Sequence, residues 1–337
     1  MNRSPRALLL WDGNNRVFHN RDIHSSVLKE FGVEFVTPTL GQIDPPENLL
    51  LPTLKDVDAW LVGPEHVTRS EMQQAPRLKL VQKMGVGYDK IDVAAATELG
   101  VLVTYTPGLL SEAMAEHTMA LMLSLAGRIP WYDRTVKAGR WEVALRPDLY
   151  GTTLGILGMG RIGKEVAKRA KAFGMKLMAY DIVHDDDFAR EYGVTYASLE
   201  EVLRSADYVA LLMLLDEHTQ GTINRKTLSL MKPTAFLINP SRGALVDEAA
   251  VADALREGRL AGYAADVFVK VPPGADNPLL QFENTVYTPW VGAATKGSNL
   301  RVNRLAAEII GKVLTGQPVE PAYVVNPEVW PRWRGKV

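Results

Sequence analysis

The chain has 337 residues, 47% of them hydrophobic and 23% charged, with a formal net charge of −1 and no cysteine. A length beyond the usual limit of one hydrophobic core predicts two domains. A near-neutral balance without a block of Lys or Arg leaves no electrostatic footprint for nucleic acid or an anionic membrane, and the lack of cysteine excludes disulfides, thiolate catalysis and Cys-ligated zinc.

In chain order, the first apolar run is Ala7–Trp11, followed by Asp12-Gly13-Asn14-Asn15, which reads as a strand ending in a turn. Five residues are too few for a signal-peptide core or a membrane span, and a cytoplasmic protein is expected. Further strands are predicted at Val57–Val62, Leu78–Gln82 and Val101–Thr104, alternating with helical stretches as in a parallel sheet covered by helices. A long helix is predicted over Leu110–Arg128. There Met114, His117, Thr118, Leu121, Met122 and Leu125 share one face, Ser111 can cap the start, and Pro130 lies just past the end.

From residue 152 the alternation resumes. Strands are predicted at Thr153–Leu157, Lys176–Tyr180, Tyr208–Leu214, Ala235–Asn239, Gly262–Asp266 and Thr285–Thr288. Helices are predicted at Arg161–Phe173 and at Asp247–Glu257, the latter with Asp247 as N-cap and Gly258 as terminator. Asp185-Asp186-Asp187 reads as a solvated loop. A last helix, Leu300–Leu314, precedes a Pro-rich tail and is placed to pack back on the first domain.

Gly158-Met159-Gly160-Arg161-Ile162-Gly163 matches G-x-G-x-x-G. The string alone is weak evidence, but here it follows an apolar strand and opens an amphipathic helix. That helix leads to a strand ending in Asp181, 23 residues after Gly158, which is the context a dinucleotide site requires. The first glycine permits the tight turn, the second lets backbone approach a pyrophosphate, and the third lets helix pack on strand. Free amides and the helix dipole favour the anion. Asp181 is suited to the adenosine ribose hydroxyls and would repel a 2′-phosphate, so the expected cofactor is NAD rather than NADP.

The run Asn239-Pro240-Ser241-Arg242-Gly243-Ala244-Leu245-Val246-Asp247-Glu248 resembles the signature of the D-2-hydroxyacid dehydrogenase family. Gly262-Tyr263-Ala264-Ala265-Asp266-Val267-Phe268, the Gly85–Asp92 and Thr106–Gly108 segments, Ala115–Thr118 and Thr288-Pro289 extend the likeness from about residue 55 to 325. The resemblance implies an α/β fold of two Rossmann-like or flavodoxin-like parallel-sheet domains with a cleft between them. Residues 1–105 and 296–337 would form a discontinuous substrate domain, and residues 106–295 the NAD-binding domain. It also implies a homodimer, often with the helix near residues 111–128 at the interface, and a small carboxylate substrate.

Carried over by position, Arg242 would pair with the substrate carboxylate and polarise the reacting oxygen, a double duty that suits a guanidinium fork. Val86 and Gly87 match a loop whose amides hold the carboxylate. Arg161 and Ile162 match the pyrophosphate-binding pair, Pro240 and Ser241 the strand end beside the nicotinamide, and Asp266 the aspartate on its nicotinamide side.

Two positions depart. The family pattern Asp-Val-Phe-x-x-Glu-Pro meets Val271 at the glutamate, and Thr-Pro-His meets Trp290 at the histidine. That pair exchanges a proton with the substrate oxygen in the family; valine cannot ionise and indole offers only an N–H donor. Leu212 and Leu214 stand where the family often has His and Pro, Leu214 reshaping the adenine pocket. His117, on the apolar helix face, reads as a core histidine. His19 and His24 fall on unplaced segments, and His66, His184, His218 and Lys270 read as loop residues. Tyr88 and Tyr105 lie on segments that face the cleft in the family pattern. The leading reading is an NAD-dependent oxidoreductase with an atypical proton-transfer site, in which Trp290 adds an aromatic wall to the substrate pocket. The alternatives are an NAD(H)-binding sensor or regulator and a conventional D-2-hydroxyacid dehydrogenase.

Overall fold

A computed structural model describes residues 3–9, 20–37 and 47–335. The predicted strand end at Trp11, the Asp12–Asn15 turn and His19 lie outside the described residues. The chain divides into two compact units, Met1–Leu110 with Ala294–Val337, and Ser111–Ala293.

The first unit runs β1 (Arg6–Leu9), α1 (Arg21–Glu30), β2 (Glu34–Val36), α2 (Glu47–Leu54), β3 (Ala59–Val62), α3 (Arg69–Gln74), β4 (Leu80–Lys83), α4 (Val93–Glu98) and β5 (Leu102–Thr104). Its strands form a parallel sheet in the order β2-β1-β3-β4-β5. Successive residues alternate between two cores. Leu8, Trp60 and Val62 pack with Leu54 and Met72 on one face, while Ala7, Leu9, Ala59 and Leu61 pack with Leu28 on the other. Burial on both faces is why β1 and β3 read as unbroken apolar runs. The edge strand β2, Glu34-Phe35-Val36, buries none of its residues fully and has no such run, so the sequence reading missed it.

The second unit opens with α5 (Ser111–Ala126) and α6 (Ile129–Lys137). Then come β6 (Thr153–Leu157), α7 (Arg161–Ala172), β7 (Lys176–Tyr180), α8 (Asp186–Tyr192), β8 (Val194–Tyr196), α9 (Leu199–Ser205), β9 (Tyr208–Leu211), α10 (Arg225–Leu228), β10 (Phe236–Asn239), α11 (Glu248–Arg256), β11 (Gly262–Ala265) and β12 (Thr285–Tyr287). The seven parallel strands lie in the order β12-β11-β10-β9-β6-β7-β8. The chain winds outward from β6 to β8, then crosses back to β9 and winds the other way. The carboxyl ends of β6 and β9 therefore form a topological switch point, where open α/β sheets bind ligands.

Leu154, Ile156 and Ala210 face one core with Leu121, Leu125 and Val166; Leu157, Val209 and Leu237 face the other with Val202 and Val251. Asp247 caps α11 by accepting the Ala250 amide, and Gly258 follows its end at φ +67°. The acidic run is not a loop. Asp185 caps α8 through the Phe188 amide, and Asp186 and Asp187 occupy its first turn, where the helix dipole favours negative charge.

The last helix, α12 (Lys296–Leu314), belongs to the first unit. Its Ala306, Ile309, Ile310 and Val313 are buried against Val27 and Leu28 of α1. Gly311 lies so close beneath the Phe31 ring that a Cβ there would overlap it. The tail is then tied to the sheet. Buried Asn326 accepts the Val103 amide at 2.8 Å and donates to the Val101 carbonyl at 3.1 Å, and the Trp333 indole donates to the Lys79 carbonyl at 2.9 Å. Among the described residues no helix is long and apolar enough to cross a membrane.

Candidate active site

The parallel strands of the second unit point the same way, so residues far apart in sequence meet at their carboxyl ends. Beyond β6 the chain turns at Gly158, whose φ of +103° only glycine adopts without strain. A Cβ on Gly158 would lie 2.5 Å from the Met213 amide nitrogen, and one on Gly163 would strike the Gly158 carbonyl. A Cβ on Gly160 would meet nothing within 4 Å. The outer two glycines thus serve protein packing, whereas the middle one, at the N-cap of α7, opens onto free space. Arg161 is exposed and Ile162 half-buried at the start of that helix.

Asp181, at the end of β7, leans back over this turn. Its carboxylate accepts the Met159 amide at 2.6 Å and the Val183 amide at 3.0 Å. Two backbone donors fix its direction while leaving further lone pairs, since a carboxylate offers about four acceptor positions. Next to it Lys164 pairs with Asp185, and that hydrogen bond holds the Asp185 carboxyl below its ordinary range.

At the end of β10, fully buried Asn239 shapes the turn that follows. Its side chain accepts the Ser241 amide at 3.1 Å and donates to the Arg242 carbonyl at 2.8 Å. Pro240 is buried beneath, and the Ser241 hydroxyl donates to the Met213 carbonyl at 2.8 Å. Arg242 is half-buried; its Nη1 donates to the Ser241 carbonyl at 2.9 Å, and its guanidinium carbon lies 5.7 Å from the centre of the Trp290 ring. Gly243 is required because a Cβ would overlap the backbone of Phe268 and Val269.

At the end of β11, Asp266 is 2% exposed and accepts three hydrogen bonds. Its carboxylate accepts the Thr288 hydroxyl at 2.6 Å and the Val291 and Gly292 amides at 2.8 Å each, with His117 Nε2 3.4 Å away. The same Nε2 lies 3.0 Å from the Thr288 hydroxyl. The Trp290 amide donates to the Asp266 carbonyl at 2.8 Å and the Thr288 carbonyl at 3.1 Å, which holds Trp290 at φ +55°. That region is rarely occupied by a bulky residue, so these bonds maintain a strained aromatic beside Arg242. His117, Thr288 and Asn239 fall inside the motifs that carry the family likeness, but nothing in the sequence marked them as site-shaping; for His117 the partners lie far along the chain. Only the polar interruption of an apolar helix face marked His117.

Other positions fall elsewhere. Val271 is 54% exposed, in a segment without helix or strand, and Lys270 is exposed. His184 stacks on Tyr196 with centroids 4.0 Å apart, and His218 is exposed. Leu212 is half-buried and Leu214 exposed beyond β9. In the first unit, Gly85 at φ +99° donates its amide to the Thr106 hydroxyl at 2.8 Å and accepts the Thr106 amide at 3.1 Å. Val86 and Gly87 follow half-buried, and among the described residues no hydrogen bond engages their amides. Tyr88 and Tyr105 pack edge-to-face at 5.8 Å, and His24 is buried in α1.

Residues 119–292 match the family described as "D-isomer specific 2-hydroxyacid dehydrogenase, NAD binding domain". A glyoxylate reductase of Korarchaeum cryptofilum is 39% identical over 322 residues, covering 93% of this chain and 96% of its own. The chain belongs to the D-isomer specific 2-hydroxyacid dehydrogenase family. The D-lactate dehydrogenase of Aquifex aeolicus, solved with NAD and lactic acid, is 30% identical with a TM-score of 0.81 over 92% of this chain and 96% of that one. An acyclic imino acid reductase solved with NADPH and D-Arg is 25% identical, with a TM-score of 0.82 over 95% and 99%. As a family member the protein is an NAD-dependent oxidoreductase acting on the CH–OH group of 2-hydroxy acids, and nothing in these likenesses favours a regulatory reading.

The Asp266 cluster makes a direct stability prediction. Asp266→Asn places an amide NH2 against donors that now meet a carboxylate, and should lower unfolding stability by about 1.5–3 kcal/mol, the range for hydrogen bonds to a charged group. Urea denaturation checks it, and an unchanged midpoint would remove Asp266 from its organising role.

Proposed function

We propose that the carboxyl ends of the second unit's sheet bind NAD(H) and reduce a small 2-keto acid. Gly158, Gly160, Arg161, Ile162 and Gly163 take the pyrophosphate and Asp181 the adenosine ribose. Pro240, Ser241, Arg242 and Asp266 border the nicotinamide, Asp266 chiefly by setting the turn that carries Trp290. Arg242 pairs with the substrate carboxylate and polarises the reacting oxygen. The first unit is the substrate domain, its Val86 and Gly87 amides available to a carboxylate. Trp290 forms an aromatic wall of the pocket. The observation that carries this reading is the open space at Gly160 between two closed glycines, at the amino end of a helix whose dipole attracts an anion.

Glyoxylate is the substrate named for two relatives matched over 93% of this chain, and it is the keto acid of choice here. The protein is cytoplasmic, with no nucleic-acid or membrane partner. It is a homodimer through the second unit. Trp141, Val143, Leu145 and Tyr150 are each more than 80% exposed along one stretch of that unit, more apolar surface than a monomer ordinarily leaves in water.

Arg242→Ala should lower glyoxylate reduction with NADH by at least 100-fold (about the effect of removing a group that acts in the transition state), while NADH still quenches tryptophan fluorescence. Retention of a tenth of the activity would take Arg242 out of this role. NADPH should bind at least about tenfold more weakly than NADH, since a charge–charge penalty near 1.4 kcal/mol already gives that ratio; equal affinities would reject the assignment of Asp181. Sedimentation equilibrium should return twice the chain mass for the native protein and one chain mass for Trp141→Glu with Leu145→Glu. A native monomer would refute the dimer.

A further inference from the structure

Reduction of a keto acid requires two deliveries, a hydride to carbon and a proton to oxygen. The residues gathered at the ends of β10, β11 and β12 are poorly equipped for the second. The indole of Trp290 has an N–H that does not ionise in water, and the guanidinium of Arg242 keeps its protons. The second unit has three histidines. His117 faces Thr288 and Asp266 beneath the turn, His184 lies flat on Tyr196, and His218 is exposed beside Glu217. The phenols of Tyr263 and Tyr287 are pushed up by burial, further from releasing a proton. A missing positioned acid slows carbonyl reduction by ~10²–10⁴.

An iminium carbon needs only the hydride. For R–C(=NH2+)–COO− and NADH, the hydride forms the new C–H bond with its electron pair and the C=N π pair moves onto nitrogen. The products are R–CH(NH2)–COO− and NAD+; the amine takes its next proton from water. No acid acts in the transition state. The site also offers what such a substrate lacks in a keto acid's pocket. An indole held at φ +55° by two backbone bonds already draws one cation, Arg242, toward its face. Aromatic faces attract cations generally. Arg242 at the same time remains a partner for the carboxylate.

We propose that the protein also reduces 2-imino acids, formed from a 2-keto acid and ammonia or a primary amine, and does so faster than it reduces the keto acid itself. The proposal rests on the reading that Arg242 holds the substrate carboxylate beside the nicotinamide.

The test uses the purified full chain with NADH in three arms: pyruvate alone, pyruvate with methylamine at mildly alkaline pH, and a preformed cyclic 2-imino acid without amine. NADH oxidation should be at least ~10-fold faster in the second arm than in the first, giving N-methylalanine by mass spectrometry, and the third arm should turn over unaided. A rate and a lactate product indifferent to methylamine would overturn the proposal. So would silence in all three arms, and NADH quenching of tryptophan fluorescence then tells whether the cofactor reading falls with it. Trp290→His should raise pyruvate reduction and shrink the imine advantage by ~10-fold or more. An advantage unchanged in that variant would remove Trp290 as its source. Independently of turnover, with NAD present, N-methylalanine should bind more tightly than lactate by equilibrium dialysis, and the reverse order counts against the proposal.

Discussion

The carboxylate of Asp266 is the constraint on which the strand ends of the second unit depend. A charge this deeply buried is tolerated only when donors replace its water shell, and here two backbone amides and a hydroxyl do so, with the His117 imidazole 3.4 Å away. These groups come from the end of β12, the turn after it and the face of α5. Satisfying one anion therefore fixes the path of residues 288–292 against the end of β11. Trp290 adopts its left-handed backbone because its neighbours' amides are already committed to this carboxylate. The indole then meets Arg242 from the next strand end.

The same device recurs along the sheet. Asn239 bonds to both sides of the turn carrying Arg242, and Asp181 bonds to the Met159 amide of the glycine turn. In each case a polar side chain at a strand terminus takes up backbone groups that the ladder can no longer pair, and in doing so aims the residue that follows. The candidate residues thereby sit in turns braced against the strand ends rather than in free loops, an arrangement that holds geometry well. Gly158, Gly163 and Gly243 complete it by removing Cβ atoms where backbone passes backbone.

Family membership and local chemistry have different weights here. The likeness covers nearly the whole chain and assigns the reaction type. It does not reach the proton, because that depends on single side chains. An indole lies against a guanidinium at one corner of the strand ends, while the glycine turn keeps its tight backbone packing. Scaffold and chemistry separate in this way because backbone geometry tolerates substitutions that proton transfer does not.

The alternation of strands and helices is legible in the amino-acid pattern alone. The extents of β6 and β7 and the caps of α11 could be read directly, because buried parallel strands are apolar on both faces and caps are local hydrogen bonds. The glycine turn and Asp181 were legible for the same reason, each being a short-range pattern with its own steric logic. The edge strands β2 and β8, three residues each, were not, since exposure erased their apolar signal. Asp185–Asp187 looked like a loop because acidic residues suit both a solvated turn and a helix start. That His117 and Thr288, 171 residues apart, share one carboxylate, and that Arg242 rests over Trp290, emerges only in three dimensions. Periodicity records which face of an element is buried. It carries no record of which distant polar group completes a buried charge, because that partner is chosen by the three-dimensional packing of the strand ends.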